Sequence, residues 1–548
     1  MSPASIGDVV VIGAGVSGIA AAKAFLQRGC RSLTILEKST EVGGHWAWIR
    51  YPGIGCQNHR LAYRFSEMPM PGATPRASAA EIHAYLQAYA REHGVLEHIR
   101  FGTEVRDVVE RGQCGGRREV IALDIVSKKQ FICEADIVIF APGMAPHIPE
   151  LGGRADFTGQ LLHSAHVDET LLRETVRERR QVLVVGGGKS ASDIITSFRE
   201  AGHPAHLMRT VHSKESTCVN FEFQLLPLFL QLPILFLLHI STTLSNLSSP
   251  FLKHFASVLR SLVFMSGLLV NTPTGGGGDV VSSKTLRLME GVESTRGRLV
   301  ELTKTGAKCS DGQELQADVI VCATGYRTRL PSIKVARPGA SALQECDVKK
   351  EQALLYRAMV LPEMPHMAVI LFNSMGVNAM ISAEIMAAWL AHFYACTRPS
   401  SIDFKKEISA DEQGLRERRC QPFTSWQFDR GGVDYAADFY EEQIFEDLGM
   451  RLPSRFYVPT RAQHDERFYQ YAATHLRSLG RGAGRSRMYK GQGYAERSCH
   501  RSQHLARCLS DLVRLSGLRR STTTKPTSFR VSLGVQTVGS NKLVGSER

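Results

Sequence analysis

Runs of β-branched residues that end in glycine and give way to helix formers set the rhythm of this chain. Asp8-Val9-Val10-Val11-Ile12 is apolar after its first residue. Gly13-Ala14-Gly15-Val16-Ser17-Gly18 then turns the chain, and Ile19 to Leu26 is rich in alanine. A short apolar run, Leu33 to Leu36, closes on Glu37. A strand without polar alternation is what a sheet covered on both faces requires. The pattern therefore predicts a strand, turn, helix and parallel strand. It recurs at Gln181 to Val185, followed by Gly186-Gly187-Gly188-Lys189-Ser190-Ala191-Ser192-Asp193, a helix through Ile194-Ile195 and a second strand near His206 to Arg209. Two more buried strands run into small-residue turns, Ala135 to Gly143 and Ala317 to Tyr326. Glycine there lets a backbone approach a ligand closely.

The order of these runs predicts an α/β protein with two Rossmann-like dinucleotide-binding domains, the second inserted into the first. The expected boundaries are 1–168 for the first part of the outer domain and 169–325 for the inserted domain. Its apolar insertion is placed at 223–270, and 326–480 returns to the outer domain with C-terminal helices. Residues 481–548 form a basic tail, expected to be disordered.

Composition sharpens this in two places. The net charge of +13 is uneven: residues 481–548 hold 14 basic and 3 acidic residues, against 52 and 50 in the remainder. The main body thus has no electrostatic case for nucleic acid. The 12 cysteines include no C-x-x-C pair, which fits reduced thiols in a cytoplasmic chain and argues against a metal site or a dithiol reductase. Residues 223–252 contain no Asp, Glu, Lys or Arg. Their centre, Leu225 to Leu238, would reach roughly 21 Å as a helix, short of a bilayer core, and Pro227 and Pro233 break it. That leaves two readings open: peripheral membrane contact or substrate access on one side, a buried helical pair on the other.

The chemistry lies in the glycine loops. Gly13 permits the tight turn, Gly15 admits a pyrophosphate, and Gly18 lets helix and strand pack closely. Glu37, 19 residues after Gly18, stands where a carboxylate accepts ribose hydroxyls and repels a 2′-phosphate. This favours FAD or NAD over NADP at the first loop. The second loop has Gly186, Gly188, Lys189 and Ser190, with Arg209 where the acid would stand. A guanidinium binds a 2′-phosphate bidentately, so the second loop is read as an NADPH site, with Lys189 adding to the phosphate field. No Ser-His-Asp, paired-carboxylate or metal-ligand constellation appears.

Together these residues resemble the class B flavoprotein monooxygenases, the family of flavin-containing and Baeyer–Villiger monooxygenases, over roughly residues 8–455. The shared elements are the two loops, Gly43-Gly44-His45-Trp46, Tyr51-Pro52-Gly53, Gln57-Asn58, Tyr63-Arg64-Phe65-Ser66, Ala323-Thr324-Gly325-Tyr326 and the helix around Ala383 to Leu390. Phe157, Gly159 and His163 match the family signature F-x-G-x-x-x-H. Val167-Asp168 departs from the aromatic expected next, which leaves the subfamily open. The resemblance implies that the outer domain binds FAD, with Gly44, Trp46, Gln57, Tyr63, Thr324 and Gly325 among the cofactor-contacting residues and Asn58 as the catalytic candidate near flavin C4a. It implies NADPH as reductant and transfer of one oxygen atom from O2 through a flavin hydroperoxide to a lipophilic small molecule. The apolar insertion points to a natural-product intermediate of the polyketide kind. The alternatives are a Baeyer–Villiger or alkene-epoxidising enzyme on the same scaffold, and a non-catalytic flavoprotein that acts as a binding partner.

Overall fold

The computed structural model describes residues 6–49, 51–57, 59–110, 116–209, 216–220, 269–272, 280–281, 283–327, 330–335, 343–346, 355–370, 379–396, 402–417, 443–450 and 466–480. The 223–252 segment and the 481–548 tail lie outside them.

Two five-stranded parallel sheets carry the chain. In the first, the order is Met367–Val369, Ile137–Phe140, Asp8–Ile12, Ser32–Leu36 and Ile99–Arg100. Its central strand is sealed on both faces, with Val9, Val10 and Val11 at 1, 3 and 0 % exposure. That explains why the run shows no polar alternation. In the second sheet the order is Ser294–Arg296, Ala205–Arg209, Val182–Val185, Val319–Cys322 and Gln160–His163. The edge strand of the first sheet, Met367–Val369, comes after the whole second sheet in the chain. The second dinucleotide-binding fold is thus an insertion in the first, as the order of the sequence runs predicts. The second sheet takes its edge strand from residues 160–163, upstream of the boundary drawn at 168. A register-matched strand can be recruited across a linker, and the apolar Leu161-Leu162 pair carried that signal.

The chain crosses between the sheets twice, and the crossings pair with each other. Ala145–Pro146 and Tyr326–Arg327 form a two-stranded antiparallel ribbon. A further mixed sheet joins Thr103–Glu110, Arg118–Asp124 and Gln130–Ala135 to Ser332–Val335 and Gln344–Cys346, stitching the returning chain to the outer domain.

The helix that opens on the first glycine loop, Val16–Gln27, packs against the late helix Ala379–Cys396. Both are rich in alanine. Burial of Phe25, Trp389 and Phe393, each 0 % exposed, contributes roughly 1.5–3 kcal/mol per side chain. Among the described residues, Ala379–Cys396 is also the one helix long and apolar enough to cross a membrane, and 89 % of it is buried inside the protein. Helix Ala79–Glu92 starts at a capping box: Ser78 accepts from the Glu81 N–H and the Glu81 carboxylate accepts from the Ser78 N–H.

Candidate functional site

The first loop is built as the spacing predicts. Gly13 has φ +103°, and a Cβ there would sit 2.3 Å from the Ala141 carbonyl oxygen, so only glycine turns the chain here. Helix Val16–Gln27 follows with Gly15 as its N-cap, no side-chain cap and no acidic residue in its first turn. Its free N–H groups and dipole favour an anion. Glu37 is 8 % exposed at the end of the neighbouring strand. One carboxylate oxygen accepts from the Ala14 N–H at 2.6 Å and the other from the Ser39 N–H and hydroxyl at 2.8 and 2.7 Å. The acid is therefore locked against the loop, as a ribose-binding carboxylate must be. Gly43-Gly44 folds back onto the same loop. A Cβ on Gly44 would lie 2.8 Å from the Gly15 Cα, and one on Gly15 would lie 3.6 Å from the Gly44 Cα. Side chains at either position would fill the cradle that a dinucleotide backbone needs, so the residues present fit that group.

The second loop repeats the construction. Gly186 has φ +146°, and its Cβ would strike the Ala323 carbonyl oxygen at 2.2 Å. Gly188 caps helix Lys189–Glu200 without a side-chain bond, and a Cβ on it would meet nothing within 4 Å. Space is thus open in front of this helix as well. Lys189 is not turned freely to that space. Its ammonium forms an ion pair with Asp193 one turn along, and its side chain is 14 % exposed. A buried carboxylate, Asp193, thus holds the Lys189 charge beside the loop. Ser190 stands against the phenols of Tyr51 and Tyr326. Arg209 ends the strand Ala205–Arg209, with its backbone paired to Arg296; its side chain lies outside the described residues. Asn58 lies outside them too, and Gln57 is half-buried beside it.

Between the loops, rings from both domains meet. Tyr326 lies edge-on to His45 at 4.7 Å and to His163 at 4.9 Å. His45 also faces Trp48 at 5.5 Å, and Trp48 is tilted over His166 at 6.1 Å. The Trp46 indole N–H donates to the Tyr63 hydroxyl at 3.0 Å, so two residues expected in one role are brought together. His163 is fully buried. Its Nδ1 accepts from the Ala165 N–H at 3.1 Å, so the proton is on Nε2, which donates to the Gly325 carbonyl at 2.8 Å. The Thr324 hydroxyl bonds the His147 carbonyl, and the His147 N–H donates to the Gly325 carbonyl at 3.1 Å. Thr324 and Gly325 thus tie the two crossings together. Burial pushes His45 and His163 down to about 4 and Tyr326 up to about 12. All three rings are neutral at physiological pH.

Two polar groups were not singled out in the sequence. Asp193, 7 % exposed, takes the Lys189 ammonium on one oxygen and the Tyr51 hydroxyl on the other at 3.2 Å. Its i,i+4 spacing from Lys189 was a signal available for reading. Lys23, 4 % exposed, pairs with Glu384 and Glu67 at 2.8 and 2.7 Å. A separation of 361 residues along the chain hides the first of these pairs from any local pattern.

Comparison with known proteins agrees with this geometry. The family described as flavin-binding monooxygenase-like matches residues 7–213. An FAD-dependent monooxygenase of Pyrenophora dematioidea is 34 % identical over 208 residues, 36 % of this chain; the chain spans little more than a third of that relative's length, 38 %. The FAD-containing monooxygenase EthA of Mycolicibacterium smegmatis is 26 % identical over 431 residues, covering 70 % of this chain and 81 % of its own. Among solved structures, OTEMO in complex with FAD and NADP superposes with a TM-score of 0.56 at 17 % identity, over 81 % of this chain and 97 % of that one. That likeness concerns the fold.

Proposed function

We propose that this chain, which is similar to flavin-binding monooxygenases, is a class B flavoprotein monooxygenase that depends on FAD, consumes NADPH and transfers one oxygen atom from O2 to a lipophilic small molecule. The observation that carries the reading is the pair of glycine loops. Each opens an uncapped helix beside a parallel strand, and the Tyr326 ring lies against Ser190 of the second loop and His45 beside the first. The backbone of Gly13, Gly15 and Gly18 receives the FAD pyrophosphate, Glu37 its ribose, and Gly44 leaves room for it. Gly186, Gly188 and the start of helix Lys189–Glu200 receive the NADPH pyrophosphate, with Arg209 as the proposed partner of the 2′-phosphate. Hydride acceptance from NADPH and activation of O2 are supplied by FAD when bound. The chain's own work is to orient and to exclude water. His45, Tyr326 and His163 wall the crevice with uncharged rings, and Thr324 and Gly325 fix the crossing to which Tyr326 belongs. Asn58 is the proposed contact near the flavin C4a edge. The uncharged 223–252 segment supports a lipophilic substrate.

The test is direct. The purified full chain is expected to be yellow and to oxidise NADPH with uptake of O2. Product analysis with a ketone, an amine and an alkene then separates Baeyer–Villiger, heteroatom and epoxidation chemistry. A protein that stays colourless after incubation with FAD would overturn the reading. A yellow protein inert to NADPH and O2 would instead be the non-catalytic partner.

A further inference from the structure

Helix Lys189–Glu200 is tied to the outer domain along Tyr51–Gly53. Asp193 accepts the Tyr51 hydroxyl at 3.2 Å. One turn later, the Ser197 hydroxyl donates to the Pro52 carbonyl at 2.8 Å. A Cβ on Gly53 would lie 3.5 Å from that same hydroxyl oxygen. The segment Tyr51–Gly53 therefore lies along this helix, and it leads directly to Gln57 in the outer domain. The other oxygen of Asp193 holds Lys189, the first residue of the helix, immediately after Gly188. A buried carboxylate thus joins the second glycine loop to a segment of the outer domain by two bonds.

We propose that Asp193 is a positioning residue that reports the occupancy of the second loop to the FAD-binding domain through Tyr51. The proposal rests on the reading of that loop as a dinucleotide site. A diphosphate at the helix N-terminus competes with Asp193 for the Lys189 ammonium. As Lys189 turns toward phosphate, the carboxylate loses its nearest cation. It is buried, and burial already raises its pKa against the pull of Lys189, Arg76 and Tyr51. The groups left to compensate it are the Tyr51 hydroxyl and the Arg76 guanidinium. The Tyr51 bond tightens, and Tyr51–Gly53 is held more firmly against the helix. Thermodynamic linkage makes the effect reciprocal: whatever NADP+ does to FAD affinity, FAD does to NADP+ affinity.

The experiment is a fluorescence titration of the deflavinated full chain with FAD, without and with saturating NADP+, which binds without turnover. The quantity read is the ratio of the two dissociation constants within each protein, so a change in intrinsic FAD affinity does not enter. NADP+ is expected to tighten FAD at least about fivefold in the wild type. Tyr51→Phe, which removes one hydroxyl, is expected to bring the ratio below about twofold, beneath the roughly fivefold floor of such couplings. Asp193→Asn, which keeps the shape, should do the same and serves if Tyr51→Phe melts early. A wild-type ratio near one, or variants that keep the wild-type ratio, would overturn the proposal. A direct titration with NADP+ separates this from failure of the functional reading: FAD binding without any NADP+ binding removes the second dinucleotide site itself.

Discussion

Lys23→Met offers a severe test of how the outer domain is held together. Lys23 lies on the helix that opens from the first glycine loop. Its ammonium contacts Glu67 at 2.7 Å, Glu384 at 2.8 Å and the Tyr89 hydroxyl at 2.7 Å. Glu384 also accepts the Ser66 N–H at 2.8 Å, so the ion pair ties the segment after Tyr63 to the glycine-loop helix and the late helix. At an effective dielectric of about 20, each ion contact holds roughly 6 kcal/mol of Coulomb attraction, and desolvation of several kcal/mol per ion offsets most of it. Burial lowers the Lys23 pKa, but Glu384 and Glu67 outweigh it and hold the ammonium above its ordinary value. Burial raises Glu384, and Lys23 together with the Ser66 N–H more than reverses that. Methionine keeps the length and removes the charge, leaving Glu384 as a buried carboxylate without its cation. The expected cost is about 3–5 kcal/mol at pH 7.5, which at about 2 °C per kcal/mol lowers the melting temperature by roughly 6–10 °C. The sign with pH follows. In the variant the folded pKa of Glu384 rises above its unfolded value, so the penalty grows above the unfolded pKa and shrinks on acidification. Adding Glu384→Gln, which still accepts the Ser66 N–H, should recover a large part of the loss and flatten its pH dependence. Thermal melts of the three proteins from pH 5.5 to 8.5 decide it. A single variant within 2 °C of wild type, or a double variant less stable than the single, means that the buried pair does not carry the load assigned to it.

Three further outcomes are expected. Gly44→Val places a branched side chain at φ +56° against Gly15 and should abolish flavin retention; a variant that purifies with a full complement of flavin refutes the cradle. Arg209→Ala should raise the KM for NADPH on the order of tenfold, the worth of a charge-assisted hydrogen bond, and leave NADH nearly unchanged; equal effects on the two coenzymes remove the 2′-phosphate role. For His163, burial lowers the folded pKa from 6.5 to about 4. The unfolded chain therefore takes up a proton first as pH falls, and this residue's contribution to stability is lost between about 6.5 and 4. His163→Gln should flatten that part of the melting curve against pH, and an unchanged slope would assign the loss to other groups.

The parallel sheets were legible because their signal is local. A strand such as Val9-Val10-Val11, sealed on both faces, must be apolar throughout, and the turn after it must be glycine because Ala141 passes within reach of any Cβ at Gly13. Glu37 was placed by spacing: a helix, a turn and a strand, 19 residues in all, carry the chain from Gly18 back to it, and the fold sets its carboxylate against the Ala14 N–H. Lys189 shows where such reading stops. Its position beside the loop suggested a free phosphate ligand, yet the partner that holds it, Asp193, sits within the same helix, and Tyr51 arrives from another domain. Lys23 was read as one more helix former, because the two carboxylates that justify a buried ammonium stand 44 and 361 residues away. Local propensity reports what an element can be. Which charges it buries is decided by the packing of distant segments, and that information is spread over the whole chain.

The rings between the two loops share one electrostatic consequence. Burial depresses His45 and His163 to about 4, and it raises Tyr326 to about 12 and Tyr51 further still. The same desolvation favours the neutral form of an acid and of a base, so between pH 6 and 9 none of these four groups changes charge. A dinucleotide bound at either loop would meet these rings in their neutral forms. Any inflection in a rate-against-pH profile inside that window belongs to a group other than these four, and removal of the His45 or His163 imidazole should leave such an inflection where it was.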